Sequence, residues 1–190
     1  MDKVRTLQKR RVFDDIFAID EAVIEHRHHD GSWSPPRRQL CFERGDSVAA
    51  LLVNRETGNL VLVNQFRYPT HEKGPGWLTE IVAGGFDVES PEQAMVREIR
   101  EETGCEVENL EQISTFYVSP GGTSERVILY YGEIIGCQER TSGRGVGDED
   151  IEVIEMSPEA LWQEFLSGHL QDAKTIIALL WLRERGRDRP

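Results

Sequence analysis

Three acidic side chains stand close together in the stretch REIREETG, residues 97–104. Glu101 and Glu102 lie three and four positions after Glu98 along a predicted helix, so the three side chains point to one patch of space. Like charges at this spacing repel each other, and the C-terminal end of a helix also disfavours anions. A hard divalent cation such as Mg²⁺ binds a few carboxylate oxygens and would offset this repulsion. The pattern therefore indicates a candidate metal site.

A plainer interpretation is an acidic helix face that is surrounded by solvent. In that case Arg97 would pair with Glu101, and Arg100 would neutralise part of the remaining charge. Taken alone, the three carboxylates favour this interpretation over a metal site. The residues around them are needed to decide between the two.

The helix that would carry these carboxylates has sequence signals at both ends. Ser90 can serve as the N-cap, and Pro91 occupies the first helical position, where its missing N–H has no cost. Gly104 suits the position after the last helical residue, where the backbone is often left-handed. The apolar side of the helix consists of Ala94, Met95 and Ile99.

Strands are predicted on both sides of this helix. Residues 47–68 contain two apolar runs around the turn sequence ETGN, which is typical of a β-hairpin, and WLTEIVAGG predicts a short strand that ends in two glycines. Further strands are predicted in residues 12–26, 37–45, 113–122 and 125–135, and further helices in residues 157–168 and 172–186. The mixed order of elements predicts an α/β or α+β sandwich rather than a regular βαβ array.

The composition is that of a globular domain. The chain has 190 residues, of which 38% are hydrophobic and 29% are charged, which is enough for one domain with a sizeable core. Its formal net charge of -12 repels phosphate backbones, so we expect no nucleic-acid partner. The longest apolar run, Ile176–Leu182, is too short to span a bilayer, so we expect no membrane partner.

Cysteine usage favours a reducing compartment. Cys41, Cys105 and Cys137 lie far apart in the sequence, and their odd number argues against a disulfide framework. The basic N-terminal stretch has no apolar run behind it, so it does not have the pattern of a signal peptide. We therefore expect a cytoplasmic protein without a disulfide framework.

Residues 83–105 as a whole resemble the Nudix box, the signature of the Nudix hydrolases. The second half of the box is matched by Arg97, Glu98, Ile99, Glu101, Glu102, Gly104 and Cys105. This match is specific because many fixed positions fall at fixed spacing. The loop between Gly84 and Glu98 is one residue shorter than in the box pattern. Glu89 is the counterpart of the first box Glu, which in the family mainly braces the box Arg.

The resemblance extends over nearly the whole chain to the nucleotide-sugar branch, which includes GDP-mannose pyrophosphatases and ADP-ribose or ADP-sugar pyrophosphatases. It rests on QFRY before the box, and on SPGG with Glu125, GDEDIEV and DAKT after it. The short box loop, SPGG and the acidic loop look most like the GDP-mannose enzymes, although SPG and Q-x-R also occur in ADP-ribose enzymes. The resemblance implies an α+β fold, an α/β/α sandwich with a mixed sheet between helices and an N-terminal β-strand extension.

The implied activity is magnesium-dependent hydrolysis of the pyrophosphate bond of a nucleoside diphosphate sugar. GDP-mannose, which would give GMP and mannose 1-phosphate, is the first candidate substrate, and ADP-ribose or another ADP-sugar is the alternative. A non-enzymatic alternative is a regulatory Nudix module that binds a nucleotide without cleaving it. Such modules usually lose box carboxylates, and here all three remain on the predicted helix.

The resemblance also implies a metal site and catalytic residues. Glu98 and Glu102 would be the main ligands of Mg²⁺, or of Mn²⁺ in its place, and the Ala83 carbonyl would add a third oxygen. Glu101 would join through water or hold a second ion. Glu149 in the loop GDED would act as general base or as an additional metal ligand. The plain alternative for this loop is an acidic segment in solvent.

Substrate contacts are implied at Arg67, Gly84, Gly85, Glu125, Asp148 and Lys174. Arg67 could bind a phosphate through its fork of N–H groups, or it could form a surface ion pair. The paired glycines would let the backbone approach the diphosphate, or they would form an ordinary tight turn. Lys174 could reach the substrate or remain a surface lysine at the start of a helix.

The N-terminal part of the chain lies outside the core that the box defines. We divide the chain into an N-terminal β-strand extension, residues 1–44, and a Nudix domain, residues 45–190. The relatives that the chain resembles are homodimers whose N-terminal strands pack across the partner, so a homodimer is implied. His28, Trp33 and Arg37 fall where such a contact would lie. The alternative is a strand layer that folds back on its own core.

Overall fold

The computed structural model of the chain describes residues 3–137 and 150–187, and within them the chain forms ten strands and three helices. The chain divides into two units. Unit 1 contains Met1–Asp46 and Tyr117–Arg126, and unit 2 contains Ser47–Phe116 and Val127–Pro190. The functional division at residue 44 stays a prediction. In addition to the N-terminal strands, unit 1 includes a segment from the middle of the chain.

Unit 1 is built on a three-stranded antiparallel sheet with the order β1-β2-β3. Its strands are β1 (Val4–Asp14), β2 (Ala18–His26) and β3 (Arg37–Glu43). Residues 4–11 of β1 were not predicted as a strand. They have no alternating apolar face, because ion pairs join exposed side chains of β1 to β2. Two of these pairs are Lys9 with Asp20 and Arg10 with Glu21.

The segment Tyr117–Arg126 is bonded to the end of β3 within unit 1. The Phe42 N–H donates to the Gly122 carbonyl at 2.8 Å, and the Ser124 hydroxyl donates to Glu43 at 2.6 Å. Hydrogen bonds from Ser124 and from the Gly45 backbone hold the pKa of Glu43 below its usual value. The SPGG sequence therefore belongs to the same unit as the N-terminal strands.

Unit 2 is built on a mixed sheet. Its strands are β4 (Ser47–Asn54), β5 (Leu60–Phe66), β6 (Trp77–Glu80), β7 (Val82–Gly85), β8 (Glu106–Tyr117), β9 (Arg126–Ile135) and β10 (Glu152–Met156). The order is β10-β5-β4-β9-β8, with β6 paired to β5 and β7 paired to β4. β4 and β9 run parallel, whereas β4 is antiparallel to β5 and to β7.

Helices cover both faces of this sheet. The helices are α1 (Pro91–Thr103), α2 (Pro158–Ser167) and α3 (Ala173–Arg187). Successive residues of β4 enter opposite cores, since Val48 belongs to the cluster that contains α1 residues and Ala49 to the one that contains α2 and α3 residues. The predicted α+β sandwich, with a mixed sheet between helices, is therefore confirmed. Within residues 3–137 and 150–187, no helix is long and apolar enough to cross a membrane.

One expectation about the cysteines was wrong. Cys105 and Cys137 are joined by a disulfide in unit 2, and Cys41 is free. The odd count misled because one bridge needs only two of the three residues, and the fold brings together positions that are 32 residues apart. The bridge links Cys105, two residues after the end of α1, to the segment that follows β9, and Cys105 is buried in the core on the α1 side.

Candidate active site

Capping fixes both ends of α1. The Ser90 hydroxyl accepts a hydrogen bond from the Gln93 N–H at 3.2 Å, and the Gln93 side chain accepts one from the Ser90 N–H, which completes a capping box. Gly104 has a left-handed backbone with φ of 67° and donates to the Arg100 carbonyl. The predicted helix bounds are confirmed, and they fix which residues share the face that carries the carboxylates.

Arg97 connects three carboxylates at this helix. Its Nη1 donates to Glu98 at 2.7 Å and to Glu101 at 2.9 Å, and its Nη2 donates to Glu89 at 2.7 Å. The hydrogen bond to Glu89 is the main cause that raises the pKa of the Arg97 guanidinium, and Glu98 and Glu101 add to it. The predicted pairing of Arg97 with Glu101 is thus present, while Arg100 pairs instead with Glu106.

The backbone of β7 passes directly against Glu98. A Cβ atom added at Gly84 would stand under 3.0 Å from the carboxylate carbon and from both oxygens of Glu98. β7 is held in place by β4, since Gly84 pairs with Val48 and Ala83 pairs with Ala49. Only a glycine leaves room for the Glu98 carboxylate at this point. Gly85, by contrast, has open space where a Cβ would stand.

The carboxylates on one face of α1 fit a hard divalent cation. Glu98 stands beside the Gly84 backbone, and Glu102 lies one helical turn further along α1, where it is only 6% exposed. In residues 3–137 and 150–187 no group of three or more His, Cys, Asp or Glu residues could hold a metal by itself. Two carboxylates on one face of α1 match the few carboxylate ligands that Mg²⁺ usually takes from a protein.

A second polar cluster in unit 2 joins Arg67 to Lys174 through Glu80. Arg67 donates twice to Glu80, from Nε at 2.8 Å and from Nη2 at 3.2 Å. The Lys174 amine donates to Glu80 at 3.0 Å and to Asp172 at 2.7 Å. Burial alone would lower the pKa of Lys174, but the charges of Asp172 and Glu80 outweigh it and hold that pKa above its usual value.

The predicted site residues do not all lie in the same unit, and two of them lie outside the described residues. Unit 2 contains Arg67, Ala83, Gly84, Gly85, Glu98, Glu101, Glu102 and Lys174. Glu125 lies in unit 1, where it is buried and 3.7 Å from the Arg44 guanidinium. Asp148 and Glu149 lie outside the described residues. Sequence reasoning missed Glu80, although a charged residue inside the apolar run WLTEIVAGG is a signal that could have identified it.

The family comparison covers most of the chain. A family model of the NUDIX domain matches residues 43–180. The GDP-mannose pyrophosphatase of Yersinia enterocolitica is 37% identical over 186 residues, which cover 97% of this chain and 97% of the relative. The GDP-mannose pyrophosphatase of Pectobacterium atrosepticum is 36% identical over 175 residues, which cover 91% of this chain and 90% of the relative.

A solved structure shares the fold. The crystal structure of an ADP compounds hydrolase has a TM-score of 0.76, with 17% sequence identity, over 100% of this chain and 98% of that chain. This likeness confirms the predicted Nudix fold and adds nothing about substrate. Nudix hydrolases generally use divalent metal ions, which agrees with the oxygen donors beside Gly84. Because the match spans residues 43–180 and the relatives align over nearly their full length, the chain belongs to the Nudix hydrolase family.

Proposed function

We propose that the protein catalyses Mg²⁺-dependent hydrolysis of the pyrophosphate bond of a nucleoside diphosphate sugar, with GDP-mannose as the preferred substrate. The observation that carries this proposal is the close approach of the Glu98 carboxylate, on α1, to the backbone of Gly84, on β7. The Glu98 oxygens, which we propose to bind the metal ion, lie beside the glycine pair at the end of β7. The GDP-mannose pyrophosphatases that align with the chain support the choice of substrate.

In this proposal Glu98 and Glu102 hold the ion, with the Ala83 carbonyl as a third oxygen. Glu101 contributes through water or at a second ion. When bound, Mg²⁺ neutralises diphosphate charge and lowers the pKa of a bound water. Mn²⁺ is expected to substitute for Mg²⁺, because it also binds carboxylate and carbonyl oxygens.

The remaining roles belong to side chains that bind and orient the substrate. Arg97 holds Glu98 and Glu101 in place through its hydrogen bonds. Arg67 binds a phosphate oxygen. Gly85, which has open space where a Cβ would stand, allows the diphosphate to approach the backbone, whereas the Glu98 carboxylate takes that space at Gly84. Most of the catalytic work is positioning and charge stabilisation, because phosphoryl transfer needs little covalent help from the protein.

Four further residues were assigned from the sequence resemblance. Glu149 is proposed as general base or additional metal ligand, and Asp148 and Glu125 as substrate contacts. The resemblance implies a substrate contact for Lys174. Because Lys174 donates to both Glu80 and Asp172, we propose instead that it holds Glu80 in place beside Arg67.

A substrate panel tests the proposed activity. Purified protein is incubated with GDP-mannose, ADP-ribose and an ADP-sugar, each with Mg²⁺, with Mn²⁺ and with EDTA, and the products are identified by mass. We expect GMP and mannose 1-phosphate from GDP-mannose at the highest kcat/KM, with activity lost in EDTA. Faster cleavage of ADP-ribose would replace the substrate assignment. Nucleotide binding without cleavage of any substrate would favour a regulatory module.

We also propose that the protein is a homodimer formed through unit 1. β1 is the edge strand of its sheet and all of its residues are exposed, including Val4, Leu7, Val12 and Phe13. An exposed edge strand with apolar side chains is a ready surface for pairing with another chain. Trp33 lies in the same unit, with the guanidinium groups of Arg5 and Arg27 over its ring at 3.9 and 4.8 Å.

Sedimentation at micromolar concentration tests the dimer. The wild-type chain is expected to sediment with twice the mass of one chain, and Leu7→Asp combined with Val12→Asp is expected to give a monomer. Leu166→Asp on α2 is the matched control, because Leu166 is also exposed and apolar but lies in unit 2. A monomeric wild-type protein with full activity would contradict the proposal.

A further inference from the structure

Glu80 is a buried carboxylate that holds two cationic side chains. It lies at the end of β6 and is only 2% exposed. Its two oxygens accept hydrogen bonds from Nε and Nη2 of Arg67, and the second oxygen also accepts one from Lys174. Paired N–H bonds from a guanidinium to one carboxylate fix the plane of the guanidinium as well as its position.

The start of α3 anchors this arrangement. The Asp172 carboxylate accepts hydrogen bonds from the Thr175 N–H at 2.9 Å and from the Thr175 hydroxyl at 2.6 Å, and its other oxygen binds Lys174 at 2.7 Å. The Thr175 hydroxyl in turn accepts a hydrogen bond from the Ile81 N–H at 2.9 Å. Lys174 is therefore held between Asp172 and Glu80 rather than left to move in solvent.

Ile81 is the point at which the chain changes its strand partner. Glu80 pairs with Val63 of β5, whereas Val82 pairs with Ala50 of β4. Ile81, which is bonded to Thr175, therefore lies between β6, which carries Glu80, and β7, which carries Gly84. Three residues of extended chain span at most roughly 10 Å, so Glu80 lies within about that distance of the Ala83 backbone.

We propose that Glu80 is a positioning residue, which acts through Arg67 and orients its guanidinium toward the anionic part of the substrate. This inference rests on the proposed function for the identity of the substrate. Lys174 and Asp172 complete the support, because Lys174 donates to Glu80 and is itself held by Asp172. In this role Glu80 touches neither the substrate nor the metal ion.

A purely electrostatic effect of Glu80→Gln and the loss of a positioning role predict different changes in kcat and KM. Arg67 and Lys174 carry two positive charges, and Glu80 and Asp172 carry two negative charges, so the cluster is neutral as a whole. Glu80→Gln would leave one net positive charge, which by itself would strengthen the binding of an anion and lower KM. If Glu80 positions Arg67, the same substitution instead lowers kcat, because a misplaced group stabilises the transition state less well.

A double-mutant cycle on the full chain tests the proposal. Glu80→Gln, Arg67→Lys and the double variant are assayed for kcat and KM with the best substrate of the panel. We expect Glu80→Gln to lower kcat about 10-fold to 100-fold with KM changed less than about threefold. The double variant is expected to be no slower than Arg67→Lys, since Glu80 acts through Arg67.

Glu106→Gln is the matched control. Glu106 also accepts two hydrogen bonds from one arginine, Arg100, at 3.0 and 2.9 Å, but this pair is exposed. The control is expected to keep wild-type kcat and KM. Independent losses that multiply in the double variant, or a lower KM with unchanged kcat in Glu80→Gln, would overturn the proposal.

A readout without turnover separates this inference from the proposed function. The Nε–H resonance of Arg67, assigned through Arg67→Lys, is expected as a sharp separate signal in the ¹⁵N spectrum of the wild-type protein. In Glu80→Gln it should broaden or merge with the exposed arginines, while Glu106→Gln leaves it unchanged. An unaltered signal would overturn the proposal even if no nucleotide sugar is cleaved. If Glu80→Gln does not fold, Lys174→Met provides the second test, because it removes the other cation that donates to Glu80.

Discussion

The Glu98 carboxylate stands where a Gly84 side chain would be. A Cβ built on Gly84 would lie under 3.0 Å from three atoms of that carboxylate, whereas Gly85 next to it has open space. The two neighbouring glycines therefore have different physical reasons to be there. At Gly84 the absence of a side chain makes room for a proposed metal ligand.

Gly84→Ala is expected to lower kcat by about 100-fold or more, because the new methyl group displaces the Glu98 carboxylate from its proposed metal-binding position. Stability should fall less than in a core substitution, since the atoms that must move are at the end of a side chain. Gly186→Ala on α3, where an added Cβ also meets open space, is the matched control and should retain wild-type activity. Mg²⁺ titrations of both variants measure the effect, and equal activities would contradict the proposed role of Gly84.

Glu98→Gln and Glu102→Gln are each expected to lower kcat at least ~100-fold, because loss of a metal ligand removes several kcal/mol of charge stabilisation. Without metal, the melting temperature of Glu102→Gln should hold or rise, since the substitution removes one of the acidic side chains that repel each other near the C-terminal end of α1. Kinetics with saturating Mg²⁺ and thermal melts in EDTA provide the two measurements. Near-normal turnover by both variants would rule out the metal assignment.

Glu149→Gln is expected to lower kcat far more than it weakens substrate binding, because the proposed task of Glu149 is water activation or metal binding. This expectation rests on the sequence, since Glu149 lies outside the described residues. Steady-state kinetics beside a binding titration with a non-hydrolysable analogue separate the two effects. A change confined to KM would make Glu149 a substrate contact.

Reduction of the Cys105–Cys137 bridge is expected to lower the stability of the protein. A cross-link of this loop length stabilises a fold by about 2–4 kcal/mol, which corresponds to roughly 4–16 °C in Tm for a chain of this size. Cys137→Ser should show the same loss and should no longer respond to dithiothreitol. Cys41→Ser, which removes the free cysteine, should melt and respond as wild type. A Tm that dithiothreitol leaves unchanged would contradict a stabilising bridge.

Local features were predictable from the sequence, and long-range partners were not. Ser90 and Gly104 define α1 because capping depends on residues within a few positions of the helix ends. The pairing of Lys174 with Glu80 depends on no local signal. The two residues are 94 positions apart, and only the packing of α3 beside the sheet brings them together. The disulfide was missed for the same reason, because cysteine spacing does not determine which pairs meet in space.

The placement of Tyr117–Arg126 in unit 1 limits which segments can be exchanged between this chain and its relatives. The N-terminal strands and this later segment form one unit, joined by Phe42 with Gly122 and by Glu43 with Ser124. A graft of the first 44 residues from a relative would therefore leave the recipient's own SPGG turn opposite foreign partners. A working chimera requires the two stretches to be transplanted together, so they are expected to vary as a matched set among homologues.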